Sequence, residues 1–204
     1  MRNQKDISLI IKETLSTRSH TPVQDQNSSC IHAAVLIPLF RGDDGEHRIL
    51  FTQRTDRVEH HKGQISFPGG AVDKEDGTFE ETALREAFEE IGLLSEDVTI
   101  LGRIDDTLTV VSNFIIHPFV GLIPHPYDFR INPEEVKRII EVPFEVFFIN
   151  RSTDKMIDIE HKGVTYKSLN YLYNGEVIWG ATARIMKNFV KIIGERLDLP
   201  EKKE

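Results

Sequence analysis

The chain has 204 residues, 39% hydrophobic and 28% charged, with a formal net charge of −8. That length suits one domain with its own core, and the acidic balance argues against nucleic-acid binding, which needs a basic face. No apolar run is long enough to span a bilayer, no secretory signal opens the chain, and one cysteine, Cys30, excludes an intrachain disulfide and fits a reducing cytoplasm.

Ile7, Ile10, Ile11 and Leu15 recur at helical spacing and predict an amphipathic helix within residues 1–15. Residues 16–29 are polar with one proline and read as a linker. Ile31–Phe40 and Arg48–Arg54 read as a hairpin turned at Gly42-Asp43-Asp44-Gly45. Gln64–Phe67 is a short strand leading into a Gly69-Gly70 turn. Thr78 and Glu81 have capping-box spacing, so a helix starts near Phe79 and ends at Gly92. Strands are expected over Val98–Ile104, Thr107–Val111 and Phe114–Ile123. Pro133, at a first helical turn, predicts a short helix over Glu134–Ile140. Lys155–Glu160 and Val164–Tyr173 form a hairpin turned at Lys162-Gly163, and Asn174-Gly175 marks another tight turn. A helix from about Ala181 to Arg196 buries Ile185, Phe189, Ile192 and Ile193, before a frayed tail over 197–204. Strands mixed with helices, without regular βαβ alternation, indicate an α+β fold on a mixed sheet.

In the helix from Phe79, the residues Glu86, Glu89 and Glu90 fall within about a 100° arc. Leu84, Ala87, Phe88 and Ile91 take the opposite arc, the expected core-facing side. Like charges at these spacings cost a helix roughly 0.2–0.5 kcal/mol per pair, a cost that a bound hard cation reverses. Standing alone, such a cluster is a solvated acidic face; the glycine loop before it and Arg85 beside it point to a site for Mg²⁺ or Mn²⁺. Asp73 and Asp76 are turn-formers or functional acids.

Phe67-Pro68-Gly69-Gly70 followed by Arg85-Glu86-Ala87-Phe88-Glu89-Glu90-Ile91-Gly92-Leu93 resembles the Nudix box: a glycine, a glutamate, then R-E-x-x-E-E-x-G and an apolar residue. Every helical position matches. Fourteen residues separate Gly70 from Arg85, one more than the family spacing, and Asp76 stands where the middle glutamate belongs. A longer loop with aspartates is typical of the coenzyme A pyrophosphatase branch. The signature of that branch, L-L-T-x-R-[SA]-x-x-x-R, then a histidine and G-Q-x-x-F-P-G-G, resembles Leu50–Thr55, His61 and Gly63–Gly70. Ile178–Arg184 is similar too, so the likeness covers roughly residues 31–195. One position departs: the second signature arginine is Glu59 here, followed by His60, with Arg57 two residues away.

The resemblance implies an α/β/α sandwich around a curved mixed sheet: a Nudix hydrolase domain over 30–196, preceded by the helix and linker of 1–29. It implies hydrolysis of the diphosphate of coenzyme A or acyl-coenzyme A, by metal-activated water, to 3′,5′-ADP and 4′-phosphopantetheine. Glu86, Glu90 and the Gly70 carbonyl would bind the metal, and Glu89 would hold a second ion or act as base. Arg85 would pair with a box carboxylate, and Glu135, at a position resembling the family's downstream E-V, would be a catalytic acid or simply a helix-start glutamate. Arg54 and His61 are the candidate phosphate contacts, against plainer readings as a strand-edge arginine and a loop histidine; Gly69 and Asp76 join the substrate side. The expected partner is a small nucleoside diphosphate derivative in the cytoplasm, without nucleic acid or membrane, with a homodimer left open. Two alternatives stand: hydrolysis of another such derivative, ADP-ribose for example, favoured by Glu59, and a non-catalytic Nudix-fold sensor, disfavoured because all three helical glutamates are kept. His32, His117 and His125 have no ligand spacing and receive no role.

Overall fold

The computed structural model describes residues 6–25, 29–57, 63–109, 113–149, 156–161, 164–194 and 196–197. Along the chain, α1 (Ile7–Ser16) precedes β1 (Ile31–Arg41), β2 (His47–Arg54), β3 (Ile65–Ser66), β4 (Gly69–Ala71) and α2 (Phe79–Ile91). Then come β5 (Thr99–Arg103), β6 (Thr107–Leu108), β7 (Phe114–Leu122), β8 (Val136–Pro143) and α3 (Val146–Ile149). The chain continues through β9 (Ile157–His161), β10 (Val164–Ser168), β11 (Asn170–Tyr173), β12 (Glu176–Trp179) and α4 (Gly180–Gly194).

β1 is central because it is apolar on both faces. Ala34, Leu36 and Phe40 pack with α2 residues, while Ile37 and Leu39 join the core formed with α1, α3 and α4. β7 runs parallel to β1 along one edge. The other edge is shared: β4 pairs antiparallel with Ala33–Val35 and β2 with Leu39–Arg41. β5 and β6 lie beyond β7, and β3 and β8 beside β2. Among the described residues this is one eight-stranded mixed sheet between helices, an α+β sandwich. The point where β1 changes partner from β4 to β2 places the glycine loop, the end of β2 and α2 around one spot.

α2 begins and ends as its residues dictate. The Thr78 hydroxyl accepts from the Glu81 amide, and the Glu81 carboxylate accepts from the Gly77 amide. Gly92 closes the helix in the left-handed conformation, φ 69°. The segment after α1 lies against the sheet: the Thr21 and Val23 amides donate to Asp105 (2.7 Å) and Asp106 (3.2 Å). No described helix is long and apolar enough to cross a membrane.

Several local expectations are corrected. Residues 136–143 form strand β8 rather than a helix, and Pro133 sits in the turn before it. Val136, Ile139 and Ile140 have helical spacing, but the run is β-branched, and pairing with β2 buries Val136, Ile140 and Val142 while Lys137, Arg138 and Glu141 stay exposed. Gly69-Gly70 is part of a strand, not a turn. Val164–Tyr173 breaks into β10, paired with β9, and β11, which turns through Asn174-Gly175 to β12. The Lys162-Gly163 turn and, beyond Leu197, the tail lie outside the described residues.

Candidate active site

α2 packs through small side chains. Ala83, Ala87 and Ile91, four apart, are fully buried against β1, and the neighbouring row Thr82, Glu86, Glu90 lies beside them. Phe88 is 52% exposed, so the expected core face is rotated. Alanines let the helix approach Ala34 closely, where a phenylalanine would hold it off. The rotation carries Glu86 and Glu90 inward: Glu90 is only 1% exposed.

The two glycines meet different neighbours. Gly70 lies opposite Ala34 in the β4–β1 ladder, and a Cβ there would come within 2.5 Å of the Glu86 carboxylate carbon and both its oxygens. Gly69 has φ +155°, and a Cβ there would sit 2.4 Å from the Ala34 carbonyl oxygen. Gly70 is thus a cradle for Glu86, and Gly69 is dictated by backbone packing.

Arg85 organises the outer side. Its Nε and Nη2 donate to Asp76 Oδ1 and Oδ2, each at 2.9 Å, its Nη2 also reaches the Ala71 carbonyl, and its Nη1 donates to Glu86 (2.9 Å) and Glu89 (3.0 Å). Asp76 accepts further from the Thr82 hydroxyl and the Asp73 amide. Hydrogen bonds from Arg85 hold the Asp76 carboxyl far below its ordinary range, and those to Asp76 raise Arg85. With both oxygens committed and its side chain 5% exposed, Asp76 braces Arg85, and it also lines the cleft beside the box loop.

Glu90 is the buried centre. Arg54 Nη1 lies 3.5 Å from its carboxylate and the Thr52 hydroxyl 3.4 Å. Burial pushes its carboxyl up to about 8, the Arg54 charge opposes that, and Glu86 and Glu135 add to it. Burial likewise raises Glu86, with Arg85 opposing and Glu89 and Glu135 adding. Glu135, at the head of β8, therefore belongs to the same carboxylate group. Its backbone carbonyl accepts from the Thr55 amide (2.9 Å).

Buried carboxylates that raise one another suit a divalent cation with oxygen ligands. Glu86 and Glu90 are the side chains placed to hold one. Among the described residues no three acidic, thiol or imidazole side chains already stand together as a metal cluster. Glu89, whose side chain is 50% exposed, is turned outward to Arg85, so gathering it with Glu86 and Glu90 takes side-chain rotation. His61, with Glu59 and His60, lies outside the described residues. A cleft of about 640 Å³ runs beside the box loop, lined by Val72, Phe79, Arg103 and Phe119 among others, but not by Glu86, Glu90 or Arg54. His32 and His117 hydrogen-bond each other at 2.8 Å and stack with Phe79, and His117 also pairs with Asp106 at 3.0 Å. Thr52 and Asn132 are the site neighbours that reading the sequence missed. Thr52 was legible from alternation with Arg54 on β2; Asn132 makes its contact only through tertiary folding.

The NUDIX domain model matches residues 31–160. The chain belongs to the Nudix family of hydrolases, enzymes that act on pyrophosphate bonds. It is 38% identical over 161 residues to the "Uncharacterized Nudix hydrolase NudL" of Yersinia enterocolitica, covering 78% of this chain and 80% of that one. A protein of the same name from Photorhabdus laumondii is 35% identical over 155 residues, 76% and 81% of the two chains. Among solved structures, a MutT/nudix family protein from Enterococcus faecalis superposes with TM-score 0.57 at 14% identity, covering 94% of this chain and 71% of that one. The Nudix hydrolase RenU from M. smegmatis superposes with TM-score 0.54 at 17% identity, over 84% and 90%. These two likenesses bear on fold alone.

Proposed function

We propose that this chain is a Mg²⁺- or Mn²⁺-dependent hydrolase of the diphosphate in coenzyme A or acyl-coenzyme A, releasing 3′,5′-ADP and 4′-phosphopantetheine. One observation carries the reading: β2, which bears the coenzyme A pyrophosphatase-like signature, delivers Thr52 and Arg54 directly onto Glu90 of the box helix. That contact, between two residues of the signature and the carboxylate centre, supports reading them as parts of one site. The NudL-named relatives are compatible with it.

Glu86 and Glu90, with the Gly70 carbonyl, would hold the ion, and Glu89 a second. A bound divalent cation supplies Lewis acidity toward a phosphoryl oxygen and lowers the pKa of water. Arg85, locked by Asp76, orients Glu86 and Glu89. In the reaction a water oxygen bonds to phosphorus, the bridging P–O bond breaks, and the departing phosphate keeps the electron pair. Glu89 or Glu135 takes the water proton; both are acids beside the cluster. Arg54 offers a guanidinium for a substrate phosphate oxygen, with His61 assigned to the same task from the signature. The single cysteine favours a cytoplasmic setting.

A second reading, hydrolysis of another nucleoside diphosphate derivative such as ADP-ribose, rests on Glu59 in place of the signature arginine. A hydrolysis panel of coenzyme A, acyl-coenzyme A, ADP-ribose, NADH, dinucleoside polyphosphates and nucleotide sugars separates the two. Preference for coenzyme A species supports the first; preference for any other substrate rejects it and leaves the family unaffected. If ADP-ribose wins and Glu59→Arg restores coenzyme A turnover, that position is the cause.

A further inference from the structure

Resting on the reading of Glu135 as the group that takes the water proton, we propose that Asn132 is the residue that positions it. The segment ahead of β8 is docked on the end of the box helix. The Arg130 amide donates to the Ile91 carbonyl and the Asn132 amide to the Glu90 carbonyl, both at 2.9 Å. This docking needs Gly92, since a Cβ there would lie 2.8 Å from the Arg130 Cβ. It also satisfies two carbonyls that a helix C-terminus otherwise leaves unpaired.

From that anchor Asn132 directs its remaining groups toward the next turn. Its carbonyl accepts from the Glu135 amide (3.2 Å) and the Val136 amide (2.9 Å). Its side-chain oxygen accepts from the Glu134 amide at 3.1 Å, an Asx turn. That leaves the side-chain NH₂, which donates to Glu135 Oε1 at 3.4 Å. On the far side the Thr55 hydroxyl and amide hold the Glu134 and Glu135 carbonyls at 2.7 and 2.9 Å. Glu135 is therefore tied to Glu90 through one residue, and the carboxylates that act on one another are fixed to a common helix end. An asparagine is suited to this place because it accepts with one side-chain atom and donates to a carboxylate with the other.

The test is Asn132→Asp, nearly isosteric, which keeps an acceptor for the Glu134 amide but sets a second negative charge against Glu135. Asn132→Ser, which also lacks the amide donor, guards against a folding artefact. Both should lower kcat for the preferred diphosphate substrate at least about tenfold, with KM and the Kd for Mn²⁺, read by electron paramagnetic resonance, changing less than about twofold. In an Asn132→Asp/Glu135→Gln double variant the losses should not add, because the group being positioned is gone. Wild-type kcat in both single variants while Glu135→Gln is impaired overturns the proposal, as do additive losses. Wild-type kcat in Glu135→Gln, with Glu90→Gln inactive, removes Glu135 from the chemistry and the positioning role with it, leaving the carboxylate centre standing.

Discussion

Arg85 and Asp76 face each other through two parallel hydrogen bonds of 2.9 Å, Nε to Oδ1 and Nη2 to Oδ2. The pair closes the loop that follows Gly70 onto the box helix. Its remaining nitrogen, Nη1, is then aimed at Glu86 and Glu89.

Asp76→Asn should lower kcat about tenfold or more with Glu86, Glu89 and Glu90 intact, and lower stability by about 1–3 kcal/mol, since a charged, hydrogen-bonded acceptor is lost. Steady-state kinetics and urea unfolding check both. The pair also sets a pH window. The Asp76 pKa is depressed on folding, so its contribution is present above the ordinary carboxylate value of 3.8 and fades as pH falls below it. Asp76→Asn should therefore differ from wild type at pH 6 and converge toward it near pH 2. An equal gap at both pH values would show that the hydrogen bonds do not depend on the charge.

The two box glycines should fail differently. Gly70→Ala thrusts a methyl group into the Glu86 carboxylate, a movable side chain, and should weaken Mn²⁺ binding about tenfold or more with little change in Tm. Gly69→Ala meets backbone at Ala34 and Val35 in a left-handed conformation, and should destabilise the whole sheet by about 1–3 kcal/mol. Calorimetry paired with a metal titration separates them; identical profiles for the two variants would refute the distinction.

Burial of Glu90 has the opposite pH sign to Asp76. Its pKa rises from an ordinary 4.5 to about 8 on folding, so its stability contribution is full below about 4.5 and is lost as pH rises toward 8. Chelator-treated protein should accordingly melt at lower temperature at pH 8 than at pH 6, Mg²⁺ should recover the difference, and Glu90→Gln should flatten the slope. An unchanged slope in Glu90→Gln would place the effect elsewhere.

Much of this site was legible in the residues. Thr78, Glu81 and Gly92 mark the box helix to within a residue of where it lies, because caps are local chemistry. The three glutamates and Arg85 stood out by spacing. The depth of Glu90 was not legible: a helical wheel cannot tell that Ala83 and Ala87, not Phe88, meet β1, because that choice depends on the small Ala34 across the interface. β8 was misread because Pro133 was taken as the first turn of a helix, whereas it sits in the turn before a strand that pairing with β2 fixes. The bidentate grip of Asp76 on Arg85 is a tertiary contact across nine residues, which the loop's own sequence does not show. Asn132 reaches Glu90 from a segment forty-two positions later, which no local pattern reveals.

Arg54→Ala should separate substrate binding from metal binding. It removes the guanidinium beside Glu90, so KM for the diphosphate should rise about tenfold while Mn²⁺ binding holds or tightens, one competing cation having gone. Weakened Mn²⁺ binding with unchanged KM would assign Arg54 to holding the carboxylates alone.

Glu90, 1% exposed, is the buried carboxylate at the centre of the proposed coenzyme A-cleaving site. The most direct test of that role is the appearance of 3′,5′-ADP and 4′-phosphopantetheine from coenzyme A with Mg²⁺ or Mn²⁺, followed by ³¹P NMR for wild type and Glu90→Gln side by side. Wild type should form both products, stop when EDTA is added, and exceed Glu90→Gln by about a thousandfold or more. A wild-type rate in Glu90→Gln, or product formation indifferent to EDTA, would contradict it.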